Sequence, residues 1–77
     1  MSGSEILLVS SPQYEKLTAE IFWDGKFVAL INQDDGLDQL KIEFPANDLN
    51  ESKILRNIEL NLFFRLIELA WDKLVKS

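Results

Sequence analysis

Cysteine and histidine are both absent from this 77-residue chain. Without cysteine there is no disulfide staple and no thiolate metal site. Without histidine as well, structural zinc is out of reach. Ser2, Ser4, Ser10, Ser11, Ser52 and Ser77 then lack the imidazole that would activate a hydroxyl nucleophile. Lysine activation needs burial, and no lysine stands in an apolar run except Lys73, near the end of a helical pattern. Three glycines and two prolines leave no material for a glycine-rich phosphate loop. No apolar run approaches the roughly 20 residues that span a bilayer. Nor does any basic residue precede the short run Ile6-Leu7-Leu8-Val9, as a secretory signal would require. A cytoplasmic location is the default expectation. Positive charge is scarce too, with 8 Lys and Arg against 13 Asp and Glu and a net charge of −5. That balance argues against nonspecific nucleic-acid binding, which neutralises phosphates with Lys and Arg. The expectation is a non-enzymatic chain with no catalytic, cofactor-binding or metal-binding residues, which works by binding protein.

Hydrophobic residues make up 47% of the chain, a globular composition for one domain near the lower size limit for unaided folding. Residues 1–4 are expected to be disordered, and Glu5 to Ser10 to form a first strand that ends before Pro12. Leu17 to Trp23 and Lys26 to Asn32 are β-rich runs joined by Asp24-Gly25, the signature of a two-residue hairpin. A regular hairpin pairs Trp23 with Lys26, Phe22 with Phe27, Ile21 with Val28 and Ala19 with Leu30. One face then carries Leu17, Ala19, Ile21, Val28 and Leu30, the better core face. The other carries Thr18, Glu20, Phe22, Phe27, Ala29 and Ile31.

Leu40 to Phe44 alternates as a further strand with Leu40, Ile42 and Phe44 inward, stopped by Pro45. Residues 45–60 read as loop, with Ile54-Leu55 as an anchor or short strand. Asn61 is a plausible N-cap for a helix over 61–76, with Lys73 and Lys76 at the negative end of its dipole. The sequence thus predicts an α+β domain over 1–77. Residues 5–44 form a three- to four-stranded antiparallel sheet with an Asp-Gly hairpin, packed by one C-terminal helix.

The helix carries more apolar surface than one sheet can hide. At about 100° per residue, Arg65, Glu68, Asp72 and Lys76 share an arc of roughly 80°. Phe63, Ile67, Ala70 and Leu74 form the apolar centre, flanked by Phe64, Trp71 and Val75 on one side. Leu62, Leu66 and Leu69, interrupted by Lys73, form the other flank. The apolar arc spans roughly 240°, about twice what facing a core requires. Leaving an aromatic flank in water forfeits on the order of several kcal/mol. Either β1 or the 46–57 segment wraps the helix, or a partner covers Phe64, Trp71 and Val75 or the Phe22–Phe27 face.

Acidic residues concentrate in the middle of the chain, at Asp34, Asp35, Asp38, Glu43, Asp48 and Glu51 against Lys41 alone. Such an edge either steers a basic partner or is a solvated loop. Asp34-Asp35-Gly36-Leu37-Asp38 fails as a calcium loop, since counting from Asn32 puts glycine fifth rather than sixth. The candidate partner-binding residues are therefore Phe22, Phe27, Asp34, Asp35, Asp38, Phe64, Trp71 and Val75.

The run from Leu17 to Ile31 through Asp24-Gly25, followed by Leu40-Lys41-Ile42-Glu43-Phe44-Pro45, resembles a group of short bacterial proteins. In size and sheet-then-helix layout the chain also resembles the small acidic immunity proteins that block bacterial toxins, and phage-encoded inhibitors of host defence. The resemblance covers roughly residues 14–75. It implies a bacterial or mobile-element origin and an inhibitor-like binding role. The alternative is a structural homo-oligomer pairing through its helix flank or sheet face.

Overall fold

The computed structural model describes residues 3–46 and 50–77. Four strands, β1 (Ser4–Val9), β2 (Thr18–Trp23), β3 (Lys26–Asn32) and β4 (Lys41–Glu43), pair antiparallel in chain order. The helix α1 (Leu60–Lys76) packs across β1 and β2. The architecture is α+β, a four-stranded antiparallel sheet covered by one C-terminal helix.

Asp24 and Gly25 connect β2 to β3 with φ of 53° and 79°, positive at both positions as a type I′ connection needs. Trp23 pairs with Lys26 and Phe22 with Phe27, but Ile21 then pairs with Ala29 rather than Val28. Val28 is the extra residue of a β-bulge. It shifts the rest of β3 by one position, so Ala19 meets Ile31 and Glu20 meets Leu30. The regular register is thereby corrected: Ala29 and Ile31 lie in the core at 0% and 3% exposure, and Leu30 turns to the other face. Phe27 to Ile31 is apolar throughout, so no polar residue marks which phase faces inward. The bulge keeps Phe22 beside Phe27 and still brings Ile31 opposite Ile42 of β4.

β1 begins at Ser4, within the stretch expected to be disordered; Met1 and Ser2 lie outside the described residues. The Gly3 carbonyl accepts from the Asp24 amide at 2.7 Å. A Cβ on Gly3 would stand 2.9 Å from the Trp23 ring, so only glycine lets the chain run so close beneath it. The connection from β1 to β2 is long and crosses the end of the sheet. Tyr14 donates its hydroxyl proton to Glu43 at 2.8 Å, and Asp34 accepts from the amides of Glu15 and Lys16.

β4 is shorter than its alternation suggests. Leu40 and Ile42 pack on the core, but Phe44, expected inward, is 64% exposed. The chain leaves the sheet ahead of Pro45, and the Phe44 ring stacks on Phe63 with centroids 6.4 Å apart. The expected loop over 45–60 contains a 3₁₀ turn at Glu51–Lys53, capped by Asn50. It also contains an anchor: Ile54 is buried and bridges to Phe27, while the Leu55 amide donates to the Phe27 carbonyl at 2.9 Å. Arg56 closes the segment, bonding the Glu51 carboxylate and the Pro45 and Ala46 carbonyls. Asp48 lies outside the described residues.

The N-cap of α1 is Glu59, not Asn61. Its extended backbone lets its carboxylate accept from the amides of Asn61 and Leu62, and Asn61 lies within the first turn. A carboxylate here meets the positive end of the helix dipole, where an amide side chain carries no charge to offer. The helix buries Leu66, Ala70 and Leu74, three residues spaced by four along one face. Small Ala70 meets a sheet surface that is itself small at Ala19 and Ala29, so helix and sheet close tightly around Ile21.

Candidate protein-binding face

Strands about 4.8 Å apart make this sheet roughly 19 Å wide, whereas a helix with its side chains is about 10 Å across. One helix covers about half of such a sheet, and α1 sits on the β1–β2 half. The inner faces of β3 and β4 are therefore sheltered by the side of the helix and, near Val28, by Leu55 and Ile58.

That side is apolar. Leu60, Phe64, Ile67, Trp71 and Val75 recur at intervals of four, three, four and four, an arc of about 80° on the helix. Ile67 is half-buried, while Leu60, Phe64, Trp71 and Val75 are exposed, from 43% to 61%. A groove of about 340 Å³ runs between this stripe and β4, lined by Ile31, Leu40, Ile42, Ile67 and Trp71. A second, of about 420 Å³, continues past Phe44, Leu60 and Phe63. The stripe thus borders both grooves, the first at Ile67 and Trp71 and the second at Leu60, where Arg56 and Asn57 also line it.

Helix orientation departs from the periodicity estimate by a roll of roughly 30°. Leu66, placed on a flank by that estimate, is 1% exposed, and Leu69 beyond it is 48% exposed. The roll exposes Phe64, Trp71 and Val75 more fully. Neither β1 nor the described part of the 46–57 segment covers them.

Phe22 and Phe27 do not belong to this face. Their rings, 5.6 Å apart and tilted, lie on the opposite side of the sheet with Glu20 and Leu30. Both are half-buried, and the Asn50, Lys53 and Ile54 side chains line a shallow groove beside them. The 50–54 segment provides cover that the sequence pattern did not indicate.

The acidic loop is partly engaged. Asp34 holds the Glu15 and Lys16 amides, fixing the β1–β2 connection. Asp35 pairs with Lys41 at 2.6 Å, and the Lys41 ammonium holds its carboxyl below the ordinary carboxylate value. Arg56 does the same for Glu51. Asp38 is exposed. Lys41 also lines the Trp71 groove, so the loop borders the apolar face without forming part of it. Glu43 accepts from Tyr14 and, at 2.6 Å, from the Asn32 side chain. The Tyr14–Glu43 hydrogen bond raises the Tyr14 hydroxyl above its ordinary value, with burial and the Glu43 and Asp34 charges adding to the shift.

Of the eight sequence-derived candidates, the structure brings together Phe64, Trp71 and Val75, and sets the acidic loop at their border. Phe44 and Leu60 complete the face and were not among them. The proline after Phe44 was the available sign that its strand ends early. Among the described residues, no three Asp or Glu side chains converge as a metal site, and no helix is long and apolar enough to cross a membrane. No protein-family model matches the chain, and neither a curated protein nor a solved structure matches it.

Proposed function

We propose that this protein is a non-catalytic protein-binding module whose interface is the apolar face between α1 and β4. As the resemblance to immunity proteins and phage inhibitors implies, it works by covering surface rather than by chemistry. The observation that carries the reading is the exposed stripe Leu60, Phe64, Trp71 and Val75 beside exposed Phe44. In a soluble protein a contiguous apolar patch of several hundred Å² commonly marks an interaction site. Aromatic anchors are the residues that interfaces favour.

The test uses tagged protein as bait, alongside a Phe64→Glu/Trp71→Glu variant with unchanged helical circular dichroism. The proposal expects at least one protein, an untagged copy of the same chain included, to be retained by the wild type and lost by the variant. Identical retention by both baits refutes it.

A further inference from the structure

Independently of that reading, we infer that the free edge of β1 and the flank of α1 above it form a second binding site. Its ligand is an extended acidic and apolar segment of another protein, which adds to the sheet as a fifth, antiparallel strand.

β1 has an unpaired side. The Asp24 amide donates straight across to the Gly3 carbonyl. Bonded partners alternate along an antiparallel pair, so Glu5, Leu7 and Val9 also turn their backbone groups towards β2. Ser4, Ile6 and Leu8 turn theirs outward. Neither proline nor a bulge interrupts Ser4–Val9, so this edge can template a strand. The side chains of those three residues lie on the helix side of the sheet, where Ile6 is buried and Leu8 is 38% exposed.

Above the edge runs a groove of about 280 Å³ lined by Ser4, Trp23, Leu62, Arg65, Leu66 and Leu69. Arg65, Leu69 and Lys73 follow one another at intervals of four along this flank. Arg65 and Lys73 have no ion-pair partner among the described residues, whereas Asp72 is held by Lys76 at 3.0 Å. Glu68 stands at the crest of the helix, lining this groove and the one towards β4. Glu5 is paired with Phe22 and faces the other side of the sheet. The flank is therefore cationic on a chain of net charge −5.

Spacing and charge select the ligand. Residues four apart on a helix stand about 6 Å apart along its axis, and alternate residues of a strand about 6.6 Å. A strand that reads acid-x-apolar-x-acid sets its apolar side chain against Leu69, itself 48% exposed. Its two carboxylates then fall beside Arg65 and Lys73. The same row rejects a second copy, because pairing β1 with β1 about a two-fold axis brings two cationic flanks together.

Lys73 guards the edge. Its ammonium donates to the outward Ile6 carbonyl at 3.2 Å. A neutral strand gains at Ile6 only what Lys73 already supplies. A carboxylate draws the exposed ammonium away in a charge-assisted bond and leaves the carbonyl to the incoming N–H.

Trp71→Phe leaves Trp23, in the groove, as the sole tryptophan, whose emission reports the site. The probe is the blocked peptide Thr-Glu-Val-Leu-Val-Glu-Thr, expected to bind with a Kd on the order of 100 µM or tighter. Thr-Lys-Val-Leu-Val-Lys-Thr should bind about tenfold more weakly, and adding Arg65→Glu and Lys73→Glu should invert that preference. N-methylation of the peptide leucine, whose N–H faces β1, should abolish binding, and N-methylation of a valine, whose N–H faces away, should not. No saturable binding below about 1 mM, equal binding of the acidic and basic peptides, or a greater loss from valine than from leucine methylation overturns the site. The Phe64→Glu/Trp71→Glu variant, which removes the stripe and also keeps Trp23 alone, should bind the acidic peptide unchanged. Loss of the peptide there overturns the site as well, while the stripe reading stands or falls on its own baits.

Discussion

Which side of α1 faces the sheet decides which residues remain for a partner, and Leu66→Ala tests it. Leu66 is 1% exposed, packed with Ala70 and Leu74 against Ile6, Ala19 and Ile21. Truncating a buried leucine costs about 2–5 kcal/mol, according to how far the cavity collapses. The sheet neighbours Ile6, Ala19 and Ile21 are β-branched or already small, so little can move in, and the upper half of that range is expected. A chain of this length is stable by about 4–12 kcal/mol. The variant should therefore lose a third or more of its stability, a fall in melting temperature of about 15–40 °C. Urea denaturation followed by circular dichroism, at a concentration where the chain is monomeric, measures it. Ile67→Ala, at a half-buried site, should cost less, and Phe64→Ala about 1 kcal/mol or less. If Ile67→Ala costs as much as Leu66→Ala, the helix sits as its hydrophobic periodicity alone suggests, and the account of the free face fails.

Two further outcomes follow from single side chains. Glu59→Ala should destabilise the protein by about 1 kcal/mol through loss of the helix cap, and Asn61→Ala by much less; denaturation midpoints that rank the other way return the cap to Asn61. Tyr14 is the sole tyrosine, so its ionisation is readable in the near ultraviolet without overlap from another phenol. Its hydroxyl is raised by the bond to Glu43, so the stability that bond contributes is present below the ordinary tyrosine value and lost as pH rises through the folded one. Glu43→Gln should lower the titration midpoint towards about 10; an unmoved midpoint removes Glu43 as the cause.

The elements were legible where local chemistry is strict. Asp24-Gly25 can do little other than turn, and the apolar repeat after Asn61 can do little other than form a helix. What failed was phase. Phe27 to Ile31 has no polar residue to say which side is out, so a bulge at Val28 costs nothing in pattern and reverses the face of everything after it. On α1 the apolar arc is so wide that its geometric centre need not be its contact centre. The sheet chose Leu66, Ala70 and Leu74, because Ala70 alone is small enough to let the backbone approach Ala19 and Ala29. Phe44 was misplaced for a similar reason, since alternation continues one residue past the point where the chain must leave for Pro45.

The position of the free face follows from those same small residues. Small residues at Ala19 of β2 and Ala70 of the helix let the two close over the β1–β2 side, and Lys73 fastens the helix there by reaching the Ile6 carbonyl. Had the bulky residues been arranged around Phe63 and Ile67, the helix would lie nearer the middle of the sheet, and Phe64 and Trp71 would fall towards β4. Instead close packing on one side leaves a trough on the other. Phe44, held against Phe63 at its rim, cannot fill it, because Pro45 and the Arg56 clasp carry the chain away from β4. The exposed aromatic stripe is thus a consequence of how the core achieves its density. Relieving it within one chain would require a second long helix, and none lies among the described residues.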